Sequence, residues 1–213
     1  MMIKVCGMRD AENIREVEAL GIDLMGFIFW PKSSRYVNER PAYLPTKCKR
    51  VGVFVDEDTE TIKQVTDDYA LDIIQLHGHE SPELISHLSK ATGRRASGNP
   101  LTSHLSIIKA FSIATASDLE QTKGYEGLVD YFLFDTKGPS VGGNGVQFDW
   151  QVLDHYHGKT PFLLSGGIGP EDTERIQAFY HPQCIGIDLN SRFELSPGVK
   201  DINKLKTFLQ KIM

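Results

Sequence analysis

The chain has 213 residues, of which 40% are hydrophobic and 24% charged, and its formal net charge is −5. That size and composition describe a soluble globular protein with an ample core, long enough for one large domain or two small ones. The acidic balance, with a pI near 5.8, excludes the basic footprint of a nucleic-acid binder but allows a local cationic pocket for an anionic metabolite.

Residues 1–13 carry early charges and lack a long apolar core, so no signal peptide is expected in them. No run of about 18 apolar residues occurs, so no membrane span is expected. Three cysteines, Cys6, Cys48 and Cys184, are odd in number, with no paired spacing and no Cys-x-x-Cys motif. They predict no disulfide framework and a reducing, cytoplasmic location.

Along the chain, short runs rich in Ile, Val, Leu and Phe alternate with longer polar stretches of helical spacing. The strand-like runs fall at 3–6, 24–29, 50–55, 73–76, 106–111, 131–134, 161–164 and 184–187. Continuous apolar strands are buried on both faces, as in parallel sheets covered by helices. Helical spacing marks 11–20, 59–69, 82–91, 116–123, 171–179 and 202–212, and Asp149-Trp150 reads as a further helix start. Ser81 before Pro82 is an N-cap followed by proline at the first helical position. Pro170, Glu171 and Asp172 put acids into a first turn.

Eight such repeats, roughly 27 residues each, predict a single-domain (β/α)8 TIM barrel over residues 1–213. Pro31, Pro41 and Pro45 leave room for only a short helix in the second unit. The polar segment 93–103 has no clear place in the pattern. The alternative, an open doubly wound sheet, would carry G-x-G-x-x-G after its first strand; here that strand runs into Val5-Cys6-Gly7-Met8.

In such a barrel, functional groups stand at the C-terminal ends of the strands. Those positions hold Cys6, then Ser33, Ser34 and Arg35, then Asp56, His77, Lys109, Asp135, the Ser165-Gly166-Gly167 turn, and Asp188, Asn190 and Ser191. Asp135 precedes a loop with Gly138, Gly142, Gly143 and Gly145. Glycines let backbone N–H groups approach an anion closely, so these loops suit a phosphate. Taken singly, the glycines also fit a plain surface loop or a tight strand-to-helix turn.

Cys6 is either a small buried residue or a functional thiol at the tip of the first strand. A thiol must lose its proton to act as a base, and Lys4, Lys109 or a local dipole can favour that. Cys48 and Cys184 read as structural. His77 is a rim donor or a packed histidine; with His79 two residues on and no accompanying ligand set, no metal is expected.

Seven segments together resemble one family: IKVCGMR (3–9), GFIFWPKSSR (26–35), VGVFVDE (51–57), IIQLHGHE (73–80), FLFDTKGPSVGGNGVQFDW (132–150), LLSGGIGPED (163–172) and GIDLNSRFELSPGVKD (186–201). In this order they resemble phosphoribosylanthranilate isomerases of tryptophan biosynthesis. The resemblance implies an Amadori rearrangement that needs no cofactor. It makes Cys6 of KVCG the general base and Asp135 the general acid, and sets Arg35 against the anthranilate carboxylate. Backbone groups of the last loops hold the phosphate.

Substrate-binding positions are thus expected at Arg35, His77, Gly142, Gly143, Gly145, Gly166, Gly167, Asp188, Asn190 and Ser191. The partner is a small phosphorylated ribosyl anthranilate, with neither nucleic acid nor membrane, and the assembly a monomer or homodimer. The acid must hold its proton near neutrality, which burial or a neighbouring carboxylate favours, and Asp188 is the candidate neighbour. Two departures from the family pattern fall in the phosphate loops: Asn144 stands where threonine is usual, and Asn190 to Glu194 replace small residues, with Arg192 aimed at the phosphate or outward. The rivals are another sugar-phosphate barrel, such as an epimerase or an aldolase using Lys109, and a barrel that binds phosphorylated ligands without turnover.

Overall fold

A computed structural model describes residues 1–91, 105–138 and 147–212. Eight parallel strands close into a ring in chain order. They are β1 (Met2–Val5), β2 (Leu24–Ile28), β3 (Lys49–Phe54), β4 (Ile73–Leu76), β5 (Ser106–Ile113), β6 (Tyr131–Thr136), β7 (Phe162–Leu164) and β8 (Cys184–Leu189). The helices outside them are α1 (Ala11–Glu18), α2 (Thr59–Tyr69), α3 (Pro82–Ala91), α4 (Thr173–Ala178) and α5 (Ile202–Ile212). The eight predicted strands are all present, and the expected barrel is the fold.

Strand alternation divides the core in two. Leu24, Val51, Val53, Ile73, Ile108, Ala110, Leu133 and Leu163 fill the barrel interior together with Cys6. Residues of opposite parity, such as Phe54, Phe132, Phe134 and Phe162, belong to the layer between sheet and helices. There Phe134 lies 4.8 Å from Phe162 and 5.2 Å from Tyr156, ring centre to ring centre. Each such buried ring contributes about 1.5–3 kcal/mol. The Asp10 carboxylate caps α1 and that of Asp58 caps α2. Leu205, Phe208 and Leu209 form the buried stripe of α5.

Several connections differ from the prediction. Among the described residues no helix lies between β2 and β3. Pro31, Pro41 and Pro45 supply no N–H and disfavour helical geometry in the residue before each; the segment is tied instead by Val37 N–H donating to Ile28 O at 2.9 Å. Residues Ala116–Tyr125 and Trp150–His155 wind as 3-10 rather than α-helix, and Pro170–Asp172 is a 3-10 turn ahead of a short α4. An antiparallel hairpin, β9 (Glu194–Ser196) with β10 (Val199–Lys200), was not anticipated. The unplaced segment 93–103 and the residues Gly142, Gly143, Asn144 and Gly145 lie outside the described residues.

Lys109 is a structural bolt. Its Nζ donates to Gly78 O at 2.8 Å and Ala110 O at 3.0 Å and lies 3.1 Å from Glu80 Oε2. Glu80 in turn accepts from the backbone N–H groups of Asp56 and Gly78. The cation therefore ties β5 to the loops after β3 and β4. Replacing it by methionine would orphan a buried carboxylate, and Lys109→Met should lower the unfolding free energy by about 3–5 kcal/mol in a urea titration. An unchanged midpoint would contradict the bolt.

Candidate active site

Cys6 follows directly on β1, with its N–H donating to Leu189 O at 2.9 Å across the seam with β8. Its side chain faces inward and is buried. Lys4, one inward position below, is paired in register with Asp188. The Lys4 ammonium donates to Asp188 Oδ1 at 2.9 Å, and Ser165 Oγ donates to Asp188 Oδ2 at 3.2 Å. Burial works against the Lys4 charge, but Asp188 and the Cys6 sulfur outweigh it and hold the ammonium above its ordinary value. Burial holds the Cys6 thiol above its ordinary value, and the Lys4 charge opposes it only in part.

Asp135 stands three strands away round the ring, near the end of β6, and is likewise buried. Its Oδ1 accepts from the Thr136 N–H at 2.8 Å. On the other side His77 Nε2 lies 3.3 Å from Asp135 Oδ2, in an orientation that leaves this buried nitrogen without a hydrogen-bond partner. His77 Nδ1 meets the Gln75 side-chain amide at 2.9 Å. The expected neighbour of Asp135 was Asp188; that carboxylate is engaged by Lys4 and Ser165, and the close partner of Asp135 is His77.

Arg35 presents Nε and Nη2 to Glu194, at 2.9 Å and 2.7 Å. Glu194 also takes the buried Lys200 ammonium, whose Nζ lies 2.6 Å from Oε1 and donates to Asn190 Oδ1 at 2.8 Å. Burial raises Glu194, but Arg35 and Lys200 prevail and hold it below its ordinary value. Glu194, Lys200 and the hairpin carrying them join the Arg35 cluster, which the strand-tip rule misses because they lie beyond β8. The SPG turn followed by Lys200 was the available signal.

The rim continues through the Ser165-Gly166-Gly167 turn after β7. Gly166 has φ +93° and Gly167 φ +66°. A β-carbon on Gly166 would come 2.2 Å from Thr136 Oγ1 and 2.6 Å from Thr136 N. Ser191 begins the 3-10 turn Ser191–Phe193. Arg192 is paired with Glu171 on the surface. Burial pushes Cys48 up to about 12 and Cys184 to about 11, and neither lies at the C-terminal rim. Among the described residues no cluster of three His, Cys, Asp or Glu side chains could hold a metal, and no helix is long and apolar enough to cross a membrane. A cavity of about 910 Å³ at the opposite pole is lined by residues such as Leu24, Arg50, Ile73 and Tyr131, where the strands begin, and includes none of the rim groups.

A closed parallel barrel with a thiol, a carboxyl, an arginine and glycine turns gathered on the C-terminal rim is the architecture of a (β/α)8-barrel enzyme. The family model for N-(5'-phosphoribosyl)anthranilate isomerase matches residues 3–211. The isomerase of Parabacteroides distasonis is 50% identical over 219 residues, covering 100% of this chain and 94% of the relative. That of Phocaeicola vulgatus is 50% identical over 212 residues, covering 100% and 98%. The crystal structure of phosphoribosyl anthranilate isomerase from Thermotoga maritima superposes with a TM-score of 0.79 at 30% identity, covering 100% of this chain and 98% of that one. Another, in complex with reduced 1-(o-carboxyphenylamino)-1-deoxyribulose 5-phosphate, gives a TM-score of 0.76 at 28% identity with the same coverage. The chain belongs to the N-(5'-phosphoribosyl)anthranilate isomerase family.

The Gly166 turn gives a test of local geometry. Gly166→Ala forces a side chain into a left-handed backbone and onto Thr136, and should cost about 1–3 kcal/mol of stability in chemical denaturation. A variant as stable as the parent would show that the turn tolerates a side chain.

Proposed function

We propose that this chain, as one barrel over residues 1–213, converts N-(5-phosphoribosyl)anthranilate to 1-(2-carboxyphenylamino)-1-deoxyribulose 5-phosphate in tryptophan biosynthesis, with Asp135 as general acid and Cys6 as general base. The carrying observation is that two buried proton-handling groups arrive on one rim from β1 and β6, with β7 and β8 between them. A ligand lying across the mouth would be reached from both sides.

Ring opening needs a proton on the furanose oxygen, and a carboxylic acid at the Asp135 position supplies it. The Schiff base that results acidifies the C2′ proton. The Cys6 thiolate removes that proton, giving an enolamine that tautomerises to the ketone. Arg35 has turned its Nε–Nη2 edge to Glu194, so its Nη1 end is the part that meets the anthranilate carboxylate. The Gly166-Gly167 turn, with the glycine loop after β6, receives the phosphate. Holding the substrate by both anions fixes the ribose between acid and base.

The aldolase reading loses support because Lys109, its candidate Schiff-base lysine, is engaged by Glu80 and two carbonyls. The reaction belongs in the cytoplasm, on a monomer or a homodimer; the Thermotoga maritima relative is dimeric and has also been generated as monomers.

The test is loss of phosphoribosylanthranilate fluorescence with the purified chain. Asp135→Asn should reduce turnover by roughly 10²–10⁴-fold with ligand affinity largely kept, and near-normal turnover would reject the acid role. Cys6→Ser should fall by a similar factor, whereas Cys48→Ser and Cys184→Ser should keep activity. Equal losses in all three would assign the cysteines to folding.

A further inference from the structure

The surroundings of Cys6 contain more charge than its own strand supplies. The sulfur rests against Gly26 of β2, where a β-carbon would stand 2.7 Å from Sγ. Lys4 of β1 and Asp188 of β8 stand on the Cys6 side of the seam, and Lys200 of β10 donates at 2.8 Å to Asn190 Oδ1, which lies 2.9 Å from where a β-carbon on Gly7, next to Cys6, would stand; all three charges act on the sulfur. Lys4 is 0% and Lys200 1% exposed, so neither ammonium is shared with solvent. Lys109, the other lysine that could have served the thiol, is committed to Glu80.

Lys200 is held where it is by independent contacts. Asn13 of α1 takes both sides of its backbone, accepting from Lys200 N at 2.7 Å and donating to Lys200 O at 3.0 Å. Arg9 pins the hairpin turn by donating to Pro197 O at 2.9 Å. The hairpin thus acts as a rigid arm that carries one ammonium under the rim.

Counting the buried network gives three cations, Lys4, Arg35 and Lys200, against two carboxylates, Asp188 and Glu194. With Cys6 protonated, one positive charge is left over; with Cys6 ionised, the network is neutral. That leftover charge favours the thiolate and offsets part of the burial that holds the Cys6 thiol above its ordinary value. We propose that Lys200, together with Lys4, is a positioning residue that favours the thiolate form of Cys6 for removal of the C2′ proton. This rests on the assignment of Cys6 as the base. Burial pushes the thiol up and Asp188 adds to that, while Lys4 and Lys200 oppose. Burial also lowers Lys200, and Glu194 followed by the Cys6 sulfur counter it. The sulfur and the ammonium therefore stabilise each other's charge.

The experiment is a pH titration of thiolate ultraviolet absorbance in a Cys48→Ser/Cys184→Ser background, where Cys6 alone contributes, run beside the pH profile of kcat/KM. Because the base must be deprotonated, activity rises with pH through the Cys6 ionisation. Lys200→Met should move both midpoints upward by about one pH unit or more, roughly tenfold less thiolate at a given pH, and Lys200→Arg should restore them. Should the single variant fail to fold, Lys200→Gln, which keeps a hydrogen-bond donor for Glu194 and Asn190, should shift the titration the same way. A folded Lys200→Met or Lys200→Gln variant with an unmoved midpoint would overturn the proposal. Full turnover in Cys6→Ser would overturn the base role instead, even while the titration still answered to Lys200.

Discussion

Closing eight parallel strands into a ring presses β1 against β8, and at that seam an ammonium and a carboxylate, Lys4 and Asp188, are buried 2.9 Å apart. The pair exists only in the observed register, Lys4 opposite Asp188 and Val5 opposite Leu189. Slipping β1 by one residue would turn Lys4 and Cys6 outward toward the helices and bring Ile3 and Val5 inside. A buried ion pair is a poor source of net stability, but breaking one is expensive. The seam therefore selects a register more than it adds free energy, and the placement of Cys6 follows from it.

Everything polar at the mouth is then arranged around two charge chains. One runs Ser165–Asp188–Lys4, inside the ring. The other runs Arg35–Glu194–Lys200, along the hairpin after β8. Their ammonium ends, Lys4 and Lys200, both act on the Cys6 sulfur. Across the mouth, Asp135 has a different setting, one oxygen accepting from the Thr136 N–H and the other toward a histidine nitrogen that lacks a hydrogen-bond partner. In the proposed reaction, where Asp135 gives a proton and Cys6 takes one, these unlike surroundings suit the two tasks.

The barrel was legible in the chain because burial on both faces writes apolar runs without alternation, and eight of them at even spacing allow few topologies. The strand-tip rule placed Cys6, Asp135 and the Gly166 turn on one rim, because those groups follow directly on apolar runs. Glu194 and Lys200 were hidden: Arg35 meets Glu194 across 159 positions of sequence, and no local period reports such a contact. Proline chemistry argued for a short helix after β2 but could not say that none would form. The 3-10 turn Ala116–Tyr125 carries Asp118, whose side chain accepts from the Ala114 and Thr115 N–H groups. That capping signal marks a helix start without choosing between α and 3-10.

The central claim is that one bound ribose chain lies between the Cys6 sulfur and the Asp135 carboxyl. A crystal structure of this chain with reduced 1-(2-carboxyphenylamino)-1-deoxyribulose 5-phosphate tests it most directly. The account predicts the sulfur and the carboxyl on opposite sides of the ribulose carbons, each within hydrogen-bonding reach of about 2.6–3.2 Å or one water further, with the phosphate on the Gly166-Gly167 turn. A ligand seated at the other pole of the barrel, or touching only one of the two groups, would contradict it.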